Sequence, residues 1–303
     1  MLLFLLSCTD AEPVDSGPTC ATAITATDPA DGGAGHHYRE PLVFSLTEPD
    51  LTAVVVADFP GRTVFTDDGA TVVYELDAPL EPNQSYTVTL DYCRGEAPVS
   101  FTTSDYGTPM DDPSSLEGAG FSFNPADGRY IEGEGVGEVM ASFFGRDIMV
   151  EVLAYNGDTM DIRAAVSETT SSKQELCRRT NDILGLDTSA LPYFRFEVEE
   201  LSFDAYDTGL NLLDFHIDGT FSSDGQSIEG VGFGFSARIS ELAPILNQDE
   251  DALCELAEQL GVDCTVCGGV TCITVSADRL VGDALPSALT EVGDGDISED
   301  CEE

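Results

Sequence analysis

The side chains best suited to chemistry lie in one stretch of the chain, Asp214-Phe215-His216-Ile217-Asp218. Its apolar residues alternate with its polar ones, which is the pattern of a β-strand with one buried face. Asp214, His216 and Asp218 therefore project together from the other face. Two carboxylates beside an imidazole can bind a metal ion or a polar ligand. On a solvent-exposed face the same acids would simply stabilise the charged histidine, and the sequence leaves both interpretations open.

The next predicted strand indicates what lies opposite these three side chains. A loop of residues 223–225, with Gly225 in a left-handed conformation, is typical of a type I turn followed by a bulge. This loop sets Asp214, His216 and Asp218 opposite Gly234, Gly232 and Gly230, respectively. Glycines leave a shallow open groove above a strand, or they allow another stretch of backbone to pack there.

The nine cysteines are the second set of reactive side chains. Cys264 and Cys267 form a C-x-x-C motif, and Cys272 follows. A structural zinc site needs a second pair of ligands at a similar spacing, and no histidine lies near these residues. This many cysteines in 303 residues instead indicates an oxidising compartment. We therefore predict three disulfides, with undetermined pairing, among Cys177, Cys254, Cys264, Cys267, Cys272 and Cys301.

Cys8 has a different predicted role. It follows an apolar run that begins at Leu2, and the residues Leu5-Leu6-Ser7-Cys8 resemble the bacterial lipobox. The resemblance implies cleavage before Cys8 and attachment of a lipid to it. Thr9 stands where an aspartate would mark retention in the inner membrane, which implies the outer membrane. The run is short for a signal peptide and no basic residue precedes it, so the alternative is a hydrophobic N-terminus with an unmodified cysteine.

Charge and hydropathy limit the partners. Asp and Glu number 57 against 12 Lys and Arg, which gives a net charge of −45. Nucleic acid and anionic membrane surfaces repel such a chain, so neither is an expected partner. A membrane-spanning helix needs about 20 consecutive apolar residues, and no later stretch has them. The expected partners are the membrane, through the lipid on Cys8, and other envelope proteins or polysaccharide.

Length and shifts in composition divide the chain into two domains and several polar segments. Residues 1–8 hold the signal and lipobox, 9–19 form a flexible acidic linker, 20–104 form the first domain and 105–118 form a second linker. Residues 119–292 form an antiparallel β domain with a cysteine-rich helical segment, and 293–303 form an acidic tail. The predicted fold class is mainly β.

Seven short stretches of residues 20–104 show the two-residue period of β-strands. That number and spacing are typical of an immunoglobulin-like sandwich. Tyr86 is placed for the tyrosine corner, in which the hydroxyl bonds to upstream backbone. His36 and His37 are expected in an exposed loop, pointing to opposite sides. The stretches are Ala23–Ala26, Leu42–Thr47, Thr52–Ala57, Thr63–Thr66, Thr71–Leu76, Tyr86–Tyr92 and Val99–Thr103.

Four segments of this domain together resemble the bacterial Ig-like domain of the SbsA type, found in S-layer proteins. They are Asp28–Gly32, Pro41–Pro49, Leu80-x-Pro82-x-x-x-Tyr86 and Val99–Thr103. The resemblance implies a spacer or binding module of the cell envelope. Cys20 and Cys93 depart from the family pattern. In this topology the first strand begins at the end of the sandwich where the penultimate strand finishes, so we predict a disulfide between them.

Residues 119–292 predict an antiparallel sheet, either a sandwich or a barrel. The hairpin over residues 147–166 has a register that can be derived. A three-residue loop, 156–158, keeps the apolar residues of both strands on one face. It also pairs Glu151 with Arg163, which is a favourable cross-strand contact.

Two or three short helices are expected beside this sheet, linked to it by disulfides. A capping-box pattern that begins at Ser171 predicts a helix that carries Cys177 and ends near Leu184. Apolar residues at helical spacing predict two more helices over residues 238–246 and 250–260.

No sequence motif points to a particular enzyme. The chain lacks the Gly-x-Ser-x-Gly elbow, the His-Glu-x-x-His motif and a phosphate-binding loop. We therefore predict a lipid-anchored envelope protein with a binding or structural role and without catalytic residues, cofactor or metal. One alternative is a carrier of a lipid or small ligand, which requires the second sheet to close around an apolar cavity. The other is a hydrolase, which requires carboxylates such as Glu132 and Glu134 to converge in a cleft.

Overall fold

The structure, a computed structural model, describes residues 20–132, 146–168, 173–205, 208–293 and 295–297. Within these ranges the chain forms two units. The first contains the chain as far as Ala34 together with Pro41–Ala78 and Ser85–Phe101, and the second contains Gly35–Glu40, Pro79–Gln84 and the chain from Thr102 onward. No helix in the described ranges is both long and apolar enough to cross a membrane.

Eight strands form an Ig-like sandwich, as the sequence predicts. They are β1 (Ile24–Asp28), β2 (Gly33–His36), β3 (Leu42–Leu46), β4 (Val54–Val56), β5 (Gly61–Thr66), β6 (Thr71–Leu76), β7 (Ser85–Tyr92) and β8 (Gly95–Thr103). One sheet has the order β1-β3-β6-β5, and the other has the order β2-β8-β7-β4. The sequence missed β2, because its glycines give no two-residue hydrophobic period.

Alternate residues of these strands supply the core of the first unit. Leu42 and Phe44 on β3 and Leu90 on β7 have no more than 1% of their surface exposed. The ring of Tyr86 stacks on that of Phe101, with a centroid distance of 5.8 Å. Tyr86 is thus part of the packed sandwich, and the hydrogen bond of its tyrosine corner stays a prediction.

The second unit is built on a 10-stranded antiparallel sheet. Its strands are β9 (Gly120–Phe123), β10 (Arg129–Glu132), β11 (Ile148–Tyr155), β12 (Thr159–Val166), β13 (Asn181–Asp187), β14 (Tyr193–Ala205), β15 (Thr208–Phe221), β16 (Ile228–Arg238), β17 (Cys264–Cys267) and β18 (Val270–Ala284). The order is β13-β12-β11-β9-β18-β16-β15-β14, with β10 and β17 also paired to β18. The two end strands, β13 and β14, lie beside each other. The sheet therefore curls into a nearly closed barrel and is not an open sandwich.

The hairpin of β11 and β12 confirms the predicted pairing of Glu151 with Arg163. The loop that joins the two strands differs in length from the predicted three residues. The backbone N–H of Asn156 donates a 2.8 Å hydrogen bond to the carbonyl oxygen of Thr159, so the loop is shorter than expected. A bulge after Val152 compensates for this difference and keeps the rest of the hairpin in the predicted register.

Strand β13 begins close to Cys177, where the sequence predicts a helix, and that prediction is wrong. Ile183 and Leu186 on this strand join the hydrophobic core of the second unit. Asp182 receives two hydrogen bonds of 2.7 Å from the guanidinium of Arg163 on β12. A helix cap is worth about 1 kcal/mol, whereas each fully buried apolar side chain contributes about 1.5–3 kcal/mol. Tertiary packing therefore outweighs the local helix signal.

The two helices predicted after β16 are present. They are α1 (Ile239–Ile245) and α2 (Glu250–Gln259). The side chain of Asp249 accepts a 2.9 Å hydrogen bond from the backbone N–H of Ala252 and so caps α2. Gly261, with a φ of 79°, follows its last turn. The small core between the helices consists of Ile239, Ala243 and Leu253.

Candidate functional site

A cavity of about 120 Å³ lies inside the barrel-like sheet of the second unit. Its lining is hydrocarbon except for two polar side chains, Arg179 and Asn181. Every strand from β11 to β16, together with β9, contributes to the wall. The apolar lining includes Phe121, Val150, Ile162, Ala164, Ile183, Phe196, Ile217 and Phe233.

Side-chain alternation on three neighbouring strands builds one wall of this cavity. Phe196 on β14 is paired with Ile217 on β15, and Ile217 is paired with Phe233 on β16. Residues paired directly across antiparallel strands project from the same face. These three side chains therefore form one continuous apolar row that faces the interior.

Aromatic rings form part of the cavity wall. The ring centroid of Phe221 lies 4.9 Å from that of Phe194 and 5.5 Å from that of Phe121. We call these three rings the aromatic cluster. Leu116 and Met160 belong to the same hydrophobic core and are buried to at least 98%. Water would find no hydrogen-bond partner in such surroundings.

Arg179 and Asn181 are the two polar residues of the lining. Asn181 begins β13 and is paired with Ala164, whereas Leu186 near the end of β13 is paired with Met160. A short turn then leads from β13 to Phe194 in the aromatic cluster. Across the strands, Ala164 is also paired with Val150 and Val150 with Phe121, so Asn181 and one ring of the cluster lie in the same row of the wall.

The sequence pattern did not indicate either polar residue of the cavity, because it predicted a helix over this stretch. The signal that could have found them is the alternation of Asn181 with Ile183, two residues after Arg179. That alternation is typical of a strand with one face in an apolar interior.

Strands β13 and β14 form a seam in the barrel wall. They are the two ends of the hydrogen-bonded strand path and stand side by side. Leu184 on β13 is 70% exposed. Two neighbouring strands that are not joined by the ladder of backbone hydrogen bonds separate at a lower free-energy cost than paired strands do. It is therefore the part of the wall best able to admit a ligand.

The predicted groove lies on the outer side of this wall, because Ile217 faces inward and its neighbours His216 and Asp218 face outward. The register differs from the prediction by two residues: His216 is paired with Gly234, and Asp218 is paired with Gly232. Asp214 is exposed at a bulge, with a φ of 50°. The three side chains thus do not stand in one even row.

Two local features cause this change of register. The loop is longer than predicted, since the backbone N–H of Ser222 donates to the carbonyl oxygen of Ser227 at 2.9 Å. A bulge between Asp218 and Thr220 then shifts the pairing of β15 with β16 by one further residue, which makes two in all. Gly225 does take the expected left-handed conformation, with a φ of 69°.

The glycines opposite the groove make room for the polar side chains themselves. A Cβ atom on Gly234 would collide with the imidazole ring of His216. A Cβ atom on Gly232 would lie 3.4 Å from Oδ1 of Asp218. The space above these glycines is therefore occupied by the facing strand and does not form an open groove.

No group of three His, Cys, Asp or Glu side chains in the described ranges is arranged to hold a metal ion. Asp218 instead lies 3.8 Å from the guanidinium of Arg195. Burial raises the pKa of Asp218, and the charges of Arg195 and His216 oppose that rise. A cation of the chain itself thus takes the place that a metal ion would have beside this carboxylate.

His36 and His37 are buried, each with 6% of its surface exposed, so the expectation of an exposed loop is wrong. Nε2 of His36 lies 3.2 Å from the carbonyl oxygen of Glu40. The ring of His37 covers Gly230. Burial, with the charges of His36 and Arg39, lowers the pKa of His37 to about 4. Gly230 lies far away in the sequence, so local patterns could not show this burial.

The described cysteines are placed in bridges. The Cα atoms are 5.7 Å apart in the pair Cys20–Cys93, 5.8 Å apart in Cys254–Cys264 and 5.8 Å apart in Cys267–Cys272. These separations are usual for disulfides. Cys177 is disulfide-bonded as well. The thiols of the C-x-x-C motif thus belong to two different bridges. Cys8, Glu134, Ser171 and Cys301 lie outside the described ranges.

Comparison with known proteins assigns no family. No family model matches the chain, and no curated protein matches it. Among solved structures, an L,D-transpeptidase from Mycobacterium smegmatis is similar over 48% of this chain and 76% of its own, with 14% sequence identity and a TM-score of 0.24. A similarity of this size carries no argument about activity. The function proposed below therefore rests on the cavity and not on a relative.

Proposed function

We propose that the chain is a lipid-anchored protein of the cell envelope whose barrel-like unit binds a small apolar ligand. The cavity carries this proposal, because it is lined almost wholly by hydrocarbon inside a nearly closed sheet. Cys8 and the disulfides support the envelope address. In sequence order the Ig-like domain stands between the anchor and the barrel, which is the position of a spacer.

The energetic cost of an apolar cavity of this volume supports a binding role. Protein interiors are packed at a density of about 0.75 and contain few voids larger than a water molecule. An unfilled cavity costs about 24 cal/mol per Å³. A volume of about 120 Å³ then costs about 3 kcal/mol, against a total stability of about 5–15 kcal/mol for a typical domain. A ligand that fills the cavity removes this cost.

The size of the cavity limits the ligand. An apolar protein cavity of about 150 Å³ accepts one benzene molecule, and the volume here is similar, about 120 Å³. The cavity therefore suits one ring or one acyl chain and is too small for a lipid with two long chains. Each methylene buried from water contributes about 0.8 kcal/mol.

Titration with a neutral single-ring probe, toluene, followed by isothermal titration calorimetry, tests this function. We expect saturable binding by the purified protein. Ala164→Phe fills the cavity and should weaken binding about tenfold or more, because the probe loses its space. Ala190→Phe makes the same change at an exposed turn and should leave binding unchanged.

Two results would overturn the proposal. One is the absence of saturable binding by the wild-type protein. The other is wild-type affinity in an Ala164→Phe variant whose circular dichroism matches that of the wild type. If that variant does not fold, Ala164→Leu makes a smaller reduction of the same space and is judged by the same criterion.

A further inference from the structure

We propose that the ligand of this cavity is an uncharged compound with one aromatic ring, and that one half of the cavity wall selects it for its aromatic character. This inference rests on the proposed binding function and specifies the chemical class of the ligand.

The phenylalanines of the cavity lining are unevenly distributed over the strands. The neighbouring strands β14, β15 and β16 contribute six of them, and we call this part of the wall the aromatic half. Strands β11, β12 and β13 contribute aliphatic side chains such as Val150, Ile162 and Ile183, and no ring, to the lining that the structure describes. We call this part the aliphatic half. The six phenylalanines are Phe194, Phe196, Phe215, Phe221, Phe233 and Phe235.

The two halves face each other across the interior. In the sheet, β11 to β13 form one end of the strand path and β16 to β14 form the other, with β9 and β18 between them. Because β13 and β14 lie side by side, the path closes into a ring. Strands four places apart in this ring of eight stand on opposite sides, so β12 faces β16 and β11 faces β15. A ligand in the cavity therefore contacts phenyl rings on one side and aliphatic groups on the other.

The rings of the aromatic half are tilted against one another. The ring centroids of Phe196 and Phe215 are 6.1 Å apart, with an angle of 58° between the ring planes. The angle between the rings of Phe194 and Phe221 is 36°. Rings at such angles offer edges as well as faces to a neighbour. Since the face of a phenyl ring is negative and its edge positive, an aromatic ligand can make edge-to-face or offset contacts with them.

This contact distinguishes an aromatic ligand from an aliphatic one of the same size. Both gain from the burial of apolar area. Only the aromatic ligand adds a ring-to-ring contact, which strengthens binding by about two- to twelvefold for one pair of rings. The aliphatic half offers no ring for such a contact, so the discrimination comes from the aromatic half.

Size and charge narrow the class of ligand further. The volume of about 120 Å³ is close to the volume of about 150 Å³ that accepts one benzene molecule, so a fused pair of rings does not fit. A charged ligand would lose its hydration against hydrocarbon walls. Arg179, the charged side chain of the described lining, already has a partner within the chain. The ligand is therefore one uncharged ring with at most a small substituent.

Headspace gas chromatography tests this assignment, because it measures how much of a volatile ligand a protein solution takes up relative to buffer. The two ligands are benzene and cyclohexene, which have rings of similar size, and only benzene is aromatic. Each association constant is divided by the partition coefficient of that ligand between hexane and water, which corrects for its hydrophobicity. We call the ratio of the corrected constants, benzene over cyclohexene, the ring preference. We expect a ring preference of about five or more in the wild-type protein.

Phe196→Leu should lower the ring preference about threefold, because it removes one ring from the aromatic half and keeps the site apolar. Ile183→Ala is the matched control, since it removes the same number of carbon atoms from the aliphatic half. It should change both association constants by the same factor and so leave the ring preference as it is. If Phe196→Leu does not fold, Phe215→Leu removes another ring of the aromatic half and is judged by the same criterion.

The outcomes distinguish the inference from the function on which it rests. If benzene and cyclohexene both bind to the wild-type protein with a ring preference below about two, the aromatic assignment is wrong and the apolar site stands. An equal fall of the ring preference in Phe196→Leu and Ile183→Ala would also contradict the assignment, because the fall would then come from the shape of the cavity. If neither of these ligands nor toluene binds, the proposed function itself fails.

Discussion

The imidazole ring of His216 covers Gly234 on the neighbouring strand and takes the space that a Cβ atom there would need. The ring of His37 has the same relationship with Gly230. Glycine is therefore required at these two positions of β16 by the side chains that cover them. The two cases differ in backbone conformation, because only Gly230 has a positive φ, of 60°.

Alanine substitutions at these glycines should have unequal effects. Gly234→Ala should lower the free energy of unfolding by about 1 kcal/mol, since the partly exposed ring of His216 can move aside. Gly230→Ala should cost about 3 kcal/mol, because it adds a left-handed strain of about 1–2 kcal/mol to a clash with a buried ring. Urea denaturation monitored by circular dichroism measures both values.

A double substitution separates the clash from the loss of a glycine. His216→Ala should remove most of the cost of Gly234→Ala, so that the two changes are strongly non-additive. Additive effects, or a larger cost at Gly234 than at Gly230, would show that the rings do not impose these glycines.

The buried ring of His37 should make stability depend on pH. Its folded-state pKa is about 4 against an ordinary value of 6.5, so between these values the unfolded state binds a proton that the folded state does not. Stability is then complete above about pH 6.5 and falls as the pH falls toward 4, by up to about 3 kcal/mol. Urea unfolding midpoints measured from pH 4.5 to 7.5 report this fall.

Comparison of two histidine variants isolates this contribution from that of the many carboxylates. His37→Gln should flatten the difference in stability between pH 4.5 and 7.5, relative to the wild type. His216→Gln removes a histidine elsewhere in the same unit and should keep that difference. A wild-type pH profile in His37→Gln would show that the burial of His37 has no such effect.

The disulfides should contribute unequally to stability. Cys20–Cys93 closes a sequence separation of 73 residues and Cys267–Cys272 closes one of 5. The chain-entropy model gives about 4 kcal/mol for the longer loop and about 2 kcal/mol for the shorter one. Paired Cys→Ser variants followed by urea unfolding measure these contributions.

Peptide mapping without reduction checks the pairing itself. It should recover Cys20 linked to Cys93, Cys254 linked to Cys264, and Cys267 linked to Cys272. A peptide that links Cys264 to Cys267, or zinc in the purified protein, would contradict this arrangement.

The lipid anchor is tested with the protein expressed from its own N-terminus in a Gram-negative host. We expect the wild type in the outer-membrane fraction, with an acylated cysteine at position 8 as the first residue in intact-mass analysis. Cys8→Ser should abolish the acyl mass and release the protein from that fraction. Cys177→Ser, which also replaces one cysteine, should retain the anchor. An unprocessed N-terminus in the wild type would refute the envelope address.

Local patterns in the sequence determined much of this protein. The two-residue hydrophobic period shows where most strands lie, and it identifies the face of Phe215 and Ile217 as buried. The pairing of Glu151 with Arg163 follows from matching two such faces. Caps and a terminal glycine determine the helix at Glu250–Gln259. Each of these features depends only on residues nearby in the sequence or on one adjacent strand. The amino-acid sequence alone is therefore enough to predict them.

Only the tertiary structure decided the rest. Residues 181–187 form a strand because β12 offers an edge and the interior accepts Ile183 and Leu186, which outweighs a local helix signal. That choice brings Arg179 and Asn181 into the wall of a cavity. The burial of His37 over Gly230 likewise joins residues far apart in the sequence. The energy of these features comes from contacts between distant segments, and for that reason no local pattern in the sequence specifies them.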